Sequence, residues 1–255
     1  MAEPVTLIAL AGLPMVRAGD DLAALLAAAI RAQADGLRRG DVVVVAQKIV
    51  SKAEARTIDL ATVAPSERAI ALAAEVGKDA RFVELVLQES RRVVRQRPGV
   101  LIVEHRLGYV MANAGIDRSN VDPAAGEEPV LLLPRDPDAS AAALRLRLEA
   151  AFGVPPAVIV GDSFGRAWRR GTLGVALGAA GLPAFVDLRG RVDLYGRVLQ
   201  VSETGFADEI AAAAGLVMGQ ADEGVPAVIV RGLAWSGAAN PAATLVRAAA
   251  EDLFR

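Results

Sequence analysis

Val158-Ile159-Val160-Gly161-Asp162-Ser163-Phe164-Gly165-Arg166 passes directly from an apolar run into small and polar residues. Ala157 to Val160, held between Pro156 and Gly161, reads as a short buried strand. A carboxylate, Asp162, follows it at once, with a hydroxyl beside it and Arg166, Arg169, Arg170 and Gly171 just beyond. A second stretch has the same design: Val110-Met111-Ala112-Asn113-Ala114-Gly115-Ile116-Asp117-Arg118-Ser119-Asn120. A carboxylate at the end of a buried strand, among neutral oxygens and near arginines, suits a metal–phosphate site. Oxygens hold a hard cation and guanidinium groups hold phosphate oxygens, while small residues let backbone approach a ligand closely.

Outward from these stretches, strands and helices alternate irregularly. Asp41-Val42-Val43-Val44-Val45 reads as a buried strand leading into Ala46-Gln47-Lys48-Ile49-Val50-Ser51-Lys52. Asp20 and Asp21 cap a helix from Leu22 to Ile30. Pro65-Ser66-Glu67 opens a second helix through Val76, closed by Gly77, and a third is expected from Asp79 to Gln96. Pro98-Gly99 is a turn, and Val100–Glu104 and Gly108–Ala112 read as paired strands. Further strands are expected at Val130–Leu133, Ala157–Val160 and Ala227–Val230, with helices at Asp138–Phe152, Thr204–Met218 and Pro241–Phe254. Gly171–Gly181 reads as strand or tight loop, and Asp122–Glu128 as an exposed connection. With no repeat and no linker rich in Pro, Gly or Ser, residues 1–255 are taken as one unit, if a two-lobed one.

Composition bounds the function. An apolar content of 53% over 255 residues supports a substantial core, but aromatics are only 4%, so Ala-rich helices must pack closely on Val/Ile/Leu strands. A net charge of −2 argues against general nucleic-acid binding. The absence of cysteine excludes disulfides, thiolate metal sites and cysteine nucleophiles, and is compatible with a cytoplasmic setting. Met1–Val16 carries Glu3 and no basic segment, unlike a signal peptide. Gly171–Val186, the longest weakly polar stretch, holds four glycines and Pro183, and falls short of the ~18 apolar residues of a membrane span.

No Gly-x-x-x-x-Gly-Lys-Ser/Thr and no Gly-x-Gly-x-x-Gly after a strand is present. The single histidine, His105, rules out a histidine-rich metal site and reads as structural or exposed. Each positive candidate has a plainer alternative. Asp117 and Asn120 could instead form an Asx-turn with local backbone. Asp162 and Ser163 could cap a helix or turn, and Arg166, Arg169 and Arg170 could be a solvated basic face. Lys48 and Lys52, after the Val42–Val45 strand, are placed for phosphate but could be surface charge. Met218-Gly219-Gln220-Ala221-Asp222-Glu223-Gly224 could close over a nucleotide or be an ordinary helix terminus and connector.

These segments occur together, in order, in one family. Gly12-Leu13-Pro14, Gly19-Asp20-Asp21-Leu22, Ser51-Lys52-Ala53-Glu54, Pro65-Ser66-Glu67-Arg68, Asn113-Ala114-Gly115-Ile116-Asp117-x-Ser119-Asn120-Val121, Leu132-Leu133-Pro134, Arg169-Arg170-Gly171, Asp193-Leu194-Tyr195-Gly196-Arg197, Ala207-Asp208-Glu209 and Pro226–Leu233 span nearly the whole chain. The chain resembles the coenzyme F420:L-glutamate ligases, also called F420-0 gamma-glutamyl ligases. The resemblance implies an α+β, mixed-sheet fold particular to that family, an intertwined homodimer, and no fused reductase domain. It implies a GTP-dependent cytoplasmic ligase that joins L-glutamate through a gamma-glutamyl linkage to the phospholactyl, or a related, tail of a deazaflavin (F420-0), by way of an acyl phosphate. It implies two Mg²⁺ or Mn²⁺ ions, leaves room for K⁺, and gives no role to membrane or nucleic acid. Asp117, Asp162, Ser163 and Gln220 match metal-binding positions. Leu13, Pro14, Met15, Val16, Gln47, Lys48, Lys52, Asn120, Gly219, Gln220, Ala221, Asp222 and Glu223 match nucleotide-contacting segments. Arg166 and Arg169 are expected beside the aspartates in catalysis, stabilising the transferred phosphoryl group. A metal-dependent phosphohydrolase using the same aspartates, and a non-catalytic deazaflavin- or nucleotide-binding protein, are the alternative functions.

Overall fold

The computed structural model describes residues 4–252. In chain order the elements are β1 (Thr6–Ala9), α1 (Leu22–Gln33), β2 (Val42–Ala46), α2 (Gln47–Ala53), β3 (Thr57–Asp59), α3 (Glu67–Val76), α4 (Ala80–Gln88), β4 (Ser90–Arg97), β5 (Val100–His105), β6 (Val110–Ala112) and β7 (Pro129–Leu131). They continue with α5 (Pro137–Phe152), β8 (Ala157–Gly165), β9 (Thr172–Ala180), β10 (Val186–Asp187), β11 (Glu203–Thr204), α6 (Phe206–Met218) and β12 (Ala227–Arg231). The fold is α+β with mixed sheets.

A five-stranded sheet in the order β1-β12-β2-β8-β9 forms the centre. Only β2 and β8 run parallel, Val42–Ala46 against Ala157–Gly161; the other neighbours are antiparallel. The inner strands are buried on both faces, which is why Val42–Val45, Ala157–Val160 and Ala227–Val230 are unbroken apolar runs. One face is covered by α1 and α5, with Leu26, Ile30 and Leu148 fully buried against Val43, Val158 and Ile229. Burying each such side chain contributes about 2 kcal/mol. The other face is covered by α6, through Ala207, Ile210, Ala211 and Ala214. A Cβ at Gly174 would stand 2.4 Å from the Ala211 carbonyl oxygen, so α6 rests on bare backbone of β9.

A second core joins α3, α4 and the sheet β4-β5-β6. A buried ionic cluster fixes this lobe to the centre. Glu89 Oε2 accepts from Arg56 Nη2 at 2.9 Å and from Arg106 Nε at 3.0 Å, while Arg56 Nε donates to the Leu133 carbonyl. His105, fully buried, accepts from the Leu107 N–H through Nδ1 and turns Nε2 toward Glu89 at 3.5 Å. The lone histidine is therefore structural.

Helices α1 and α3 begin at the expected caps, Asp21 and Ser66, and α3 closes at Gly77 in a left-handed conformation. The third helix is shorter than expected. It ends at Gln88, and Ser90–Arg97 is an edge strand paired with β5, where Arg91 and Arg92 reach Glu104 across the ladder. Its exposed faces carry charge on both sides, so it lacks the alternation that marks a half-buried strand. The expected final helix is replaced by two short 3₁₀ turns, Ala242–Leu245 and Ala249–Glu251. The Asp138 carboxylate takes the Ala242 and Ala243 N–H groups and anchors the first turn to α5; Leu253 and Phe254 lie outside the described residues. Gly171–Gly181 resolves as β9, and Asp122–Glu128 is a largely exposed connection tied down by Asp59. Among the described residues no helix is long and apolar enough to cross a membrane.

Candidate active site

Because β2 and β8 are parallel, their carboxyl ends open at the same edge of the sheet, where crevices for ligands form. There the chain leaves β2 straight into α2, while β8 continues past it as a hairpin with β9. A cavity of about 420 Å³ lies at this edge, a size suited to a small-molecule ligand. Its walls are Leu13–Val16, Gln47, Lys48 and Lys52 on α2, Asn120, Asp162 and Ser163 on β8, and the Gly219–Glu223 loop after α6. Every segment expected to contact a nucleotide therefore lines one cavity.

The plainer alternatives fail at several of these positions. Asp117 does not turn back on its own backbone: its Oδ2 accepts from Gln47 Nε2 at 2.9 Å and pairs with Lys48 Nζ at 2.5 Å. Gln47 is itself oriented by Ser51, whose hydroxyl donates to Gln47 Oε1 at 2.9 Å. Asn120 reaches over the cavity edge and donates to the Ala221 carbonyl at 3.1 Å. Asp162 and Ser163 cap nothing; they sit within the strand, opposite Val175 and Gly174. The Ser163 hydroxyl donates to Gln220 Oε1 at 2.6 Å, which brings two of the expected metal-binding oxygens together. The Gly219–Glu223 loop is both a helix terminus and a cavity wall: Gly219 caps α6, and Glu223 accepts from the Ala221 N–H.

The backbone that presents Asp117 is wound tightly. Asn113, Ala114 and Asn120 have φ of 52°, 53° and 57°, an uncommon region for residues with a Cβ and one that concentrates at functional sites. Asp117 is then fixed by a reciprocal pair of backbone hydrogen bonds to Leu131. Arg118 is turned away onto the Phe82 ring.

The electrostatics are those of a site short of positive charge. Burial drives the Asp162 carboxyl up to about 7, and the neighbouring Asp117 charge adds to the rise; the Ser163 N–H and Lys48 oppose it only in part. Burial also pulls the Lys52 ammonium below its ordinary value, with the Lys48 charge acting in the same sense. Two carboxylates, a hydroxyl and an amide oxygen form a hard-oxygen donor set that fits Mg²⁺ or Mn²⁺. Among the described residues no group of three or more acidic or histidine side chains could hold an ion. A cation here would draw its remaining ligands from water or phosphate, as Mg²⁺ commonly does.

Arg166, Arg169 and Arg170 are elsewhere. They sit at the exposed tip of the β8–β9 hairpin and are not among the cavity walls; Arg166 donates to the Gly171 carbonyl at 3.3 Å. Residue-by-residue reading missed the cavity's apolar floor, made of Val44, Gly161, Gly174, Ala211 and Gly215. Of these, Gly174 in the Gly171–Gly181 stretch was the available signal for the close helix contact, against Ala211; a Cβ at Gly215 would meet nothing within 4 Å.

The model of the F420-0:gamma-glutamyl ligase family matches residues 12–232. The chain belongs to this family. It is 46% identical to the coenzyme F420:L-glutamate ligase of Methanothermobacter thermautotrophicus, over 98% of this chain and 99% of that one. It is also 46% identical to those of Methanopyrus kandleri, over 94% of this chain and 93% of that one, and of Natronomonas pharaonis, over 97% and 94%. The likeness thus spans both lobes and every wall of the cavity.

Proposed function

We propose that this protein is a GTP- and divalent-metal-dependent ligase that joins L-glutamate, through its α-amine, to the tail carboxylate of a deazaflavin F420 precursor; a gamma-glutamyl linkage forms where the accepting carboxylate is the γ-carboxylate of a glutamate already added. The observation that carries this reading is that Asp162 lines a cavity walled by all the nucleotide-type segments, while Asp117, about 45 residues away in sequence, is near enough to act on its charge and is bonded to the wall residues Gln47 and Lys48.

A carboxylate is a poor acyl donor, because its leaving group would be oxide. In the proposed reaction the tail carboxylate oxygen attacks the γ-phosphorus of GTP and the β–γ bridging bond breaks. GDP leaves, and an acyl phosphate forms. The glutamate amine attacks the acyl carbon, inorganic phosphate departs, and the amine nitrogen loses its proton to give the amide. Asp117 and Asp162, with Ser163 and Gln220, would hold Mg²⁺ or Mn²⁺, and K⁺ is compatible with the same oxygens. Such ions neutralise charge as it moves between phosphate oxygens. Lys48 and Lys52 face the same space and stabilise the transferring phosphoryl group, and Asn120 with the Gly219–Glu223 loop frames the nucleotide. No covalent nucleophile is needed, in keeping with a chain that has no cysteine and one buried histidine. We also place the protein in the cytoplasm as a homodimer, on the family pattern.

The test is incubation with F420-0, L-glutamate, GTP and Mn²⁺, with the deazaflavin product read by mass spectrometry. Masses shifted by glutamyl units, with GDP formed in step, are expected. Phosphate release independent of glutamate and deazaflavin would replace this reading with a phosphohydrolase.

A further inference from the structure

The function above uses the lysine of Ser51-Lys52-Ala53-Glu54 and leaves its serine without a part. Ser51 is fully buried and is not among the cavity walls. It lies one turn after Gln47 on α2, so the two side chains share a helix face. Its hydroxyl donates to Gln47 Oε1 at 2.9 Å. Gln47 is 1% exposed, and the other end of its amide donates to Asp117 Oδ2 at 2.9 Å. A chain of hydroxyl, amide and carboxylate thus runs from the hidden side of α2 to the candidate metal site.

An amide has nearly the same shape whichever way round it sits, so packing alone does not choose the end that faces Asp117. Ser51 and Asp117 choose in the same sense. The hydroxyl proton draws the carbonyl end toward Ser51, and the carboxylate draws the N–H end toward itself. With the ends reversed, two acceptor oxygens would face each other across the 2.9 Å gap, beside a side chain that water hardly reaches.

The effect falls on Asp117. Gln47 and Lys48 both bond Oδ2, and among the described residues no hydrogen bond reaches Oδ1. The two contacts differ in kind. Lys48 brings a positive charge, which opposes a cation. Gln47 brings a neutral N–H, which orients the carboxylate without opposing one, as outer partners of metal-holding carboxylates commonly do.

We propose that Ser51 is a positioning residue for the divalent cation: through Gln47 it fixes the Asp117 carboxylate, with Oδ2 held by the protein and Oδ1 left for the ion. This assignment rests on the metal-dependent ligase reading above. It moves the Gln47 side chain from contact with the nucleotide to support of the carboxylate.

The experiment measures Mn²⁺ binding by the full-length protein without substrates, from the electron paramagnetic resonance signal of the free ion. It compares the parent with Gln47→Met, Ser51→Ala and the double variant. Gln47→Met keeps the side chain's length and removes both polar ends, and it should weaken Mn²⁺ binding about tenfold or more. Ser51→Ala should weaken it about threefold to tenfold in the parent. Added to Gln47→Met it should cost less than about twofold, because no amide is left to orient. Thermal melts of the metal-free proteins, run in parallel, report the fold. Unchanged Mn²⁺ affinity in Gln47→Met would overturn the assignment, even where Ser51→Ala does not fold. So would an equal loss from Ser51→Ala in both backgrounds, which would make Ser51 a packing residue only. Either result, with a parent protein that binds Mn²⁺ and glutamylates F420-0, rejects the positioning role alone. A parent protein that neither binds Mn²⁺ nor glutamylates F420-0 rejects the ligase reading with it.

Discussion

Lys48 Nζ lies 2.5 Å from Asp117 Oδ2, the same oxygen that accepts from Gln47 Nε2. Both contacts load one oxygen of the carboxylate, and the ammonium serves as its counter-ion. Under the proposed function, a divalent ion on Asp117 would compete with that ammonium, while a phosphate arriving with the ion would give the ammonium a new partner.

Lys48→Met should therefore have two opposite effects. In the absence of nucleotide it should tighten Mn²⁺ binding, followed by the electron paramagnetic resonance signal of the free ion. With all substrates present it should lower turnover by about 100-fold, the scale for losing one group that stabilises charge in the transition state. Weaker Mn²⁺ binding in the variant would show that Lys48 does not shield Asp117.

The Asp162 carboxyl predicts a pH dependence. With a folded value of about 7 against an ordinary 3.8, a cation must displace its proton below pH 7. Mn²⁺ affinity should rise about tenfold per pH unit between pH 5 and 7 and level off above. Asp162→Asn should remove the slope. In metal-free protein the sign for stability is reversed: the folded state holds this proton more tightly than the unfolded chain, so stability falls as pH rises from about 4 to 7. Added Mn²⁺ should reverse that loss, which thermal melts at several pH values will measure.

The Glu89 cluster acts in the other direction. Burial raises this carboxyl, but His105, Arg106 and Arg56 together outweigh it and hold the group down to about 2, against an ordinary 4.5. Its contribution to stability is complete above pH 4.5 and is lost as pH falls toward 2. Glu89→Gln should destabilise by about 2–3 kcal/mol at pH 7, since it leaves Arg56 buried without its partner. The difference from wild type should shrink on acidification in urea melts; a pH-independent difference would mean that packing, not charge, is what Glu89 supplies.

Gly174 tests the link between fold and cavity. A Cβ there meets the Ala211 carbonyl oxygen at 2.4 Å, with backbone rather than a flexible side chain in the way. Gly174→Ala should cost about 2–3 kcal/mol and weaken nucleotide binding, because α6 must lift from β9 and take its Gly219–Glu223 loop with it. Calorimetry of GTP binding beside a denaturant melt separates the two effects. An unaltered affinity would mean that the loop is placed independently of the helix.

The core strands and capped helices were legible because their signals are local: Val42–Val45 has no polar interruption, and Asp21 and Ser66 precede apolar periodicity. Ser90–Arg97 was not, because an edge strand with charge on both faces has no period to detect and owes its state to pairing with β5. The Asp138 carboxylate that anchors Ala242 is likewise invisible at a sequence separation of about 100 residues. At the site, residue types were readable and their company was not. Nothing near Asp117 in sequence announces Gln47 or Lys48, and nothing near Arg169 announces that the strand bearing Asp162 continues to Gly165 and carries the arginines outward.

The bare-backbone contact between α6 and β9 also settles how the cavity can adjust. A helix seated on Gly174, with Ala211 against the strand, has no side chains there to compress or re-pack, so that wall behaves as an anvil. Leu13–Val16, another wall, is a loop whose Met15 stands largely in solvent and whose side chains there have room to re-pack. Under the proposed function, substitutions that retune selectivity among nucleotides belong in that loop.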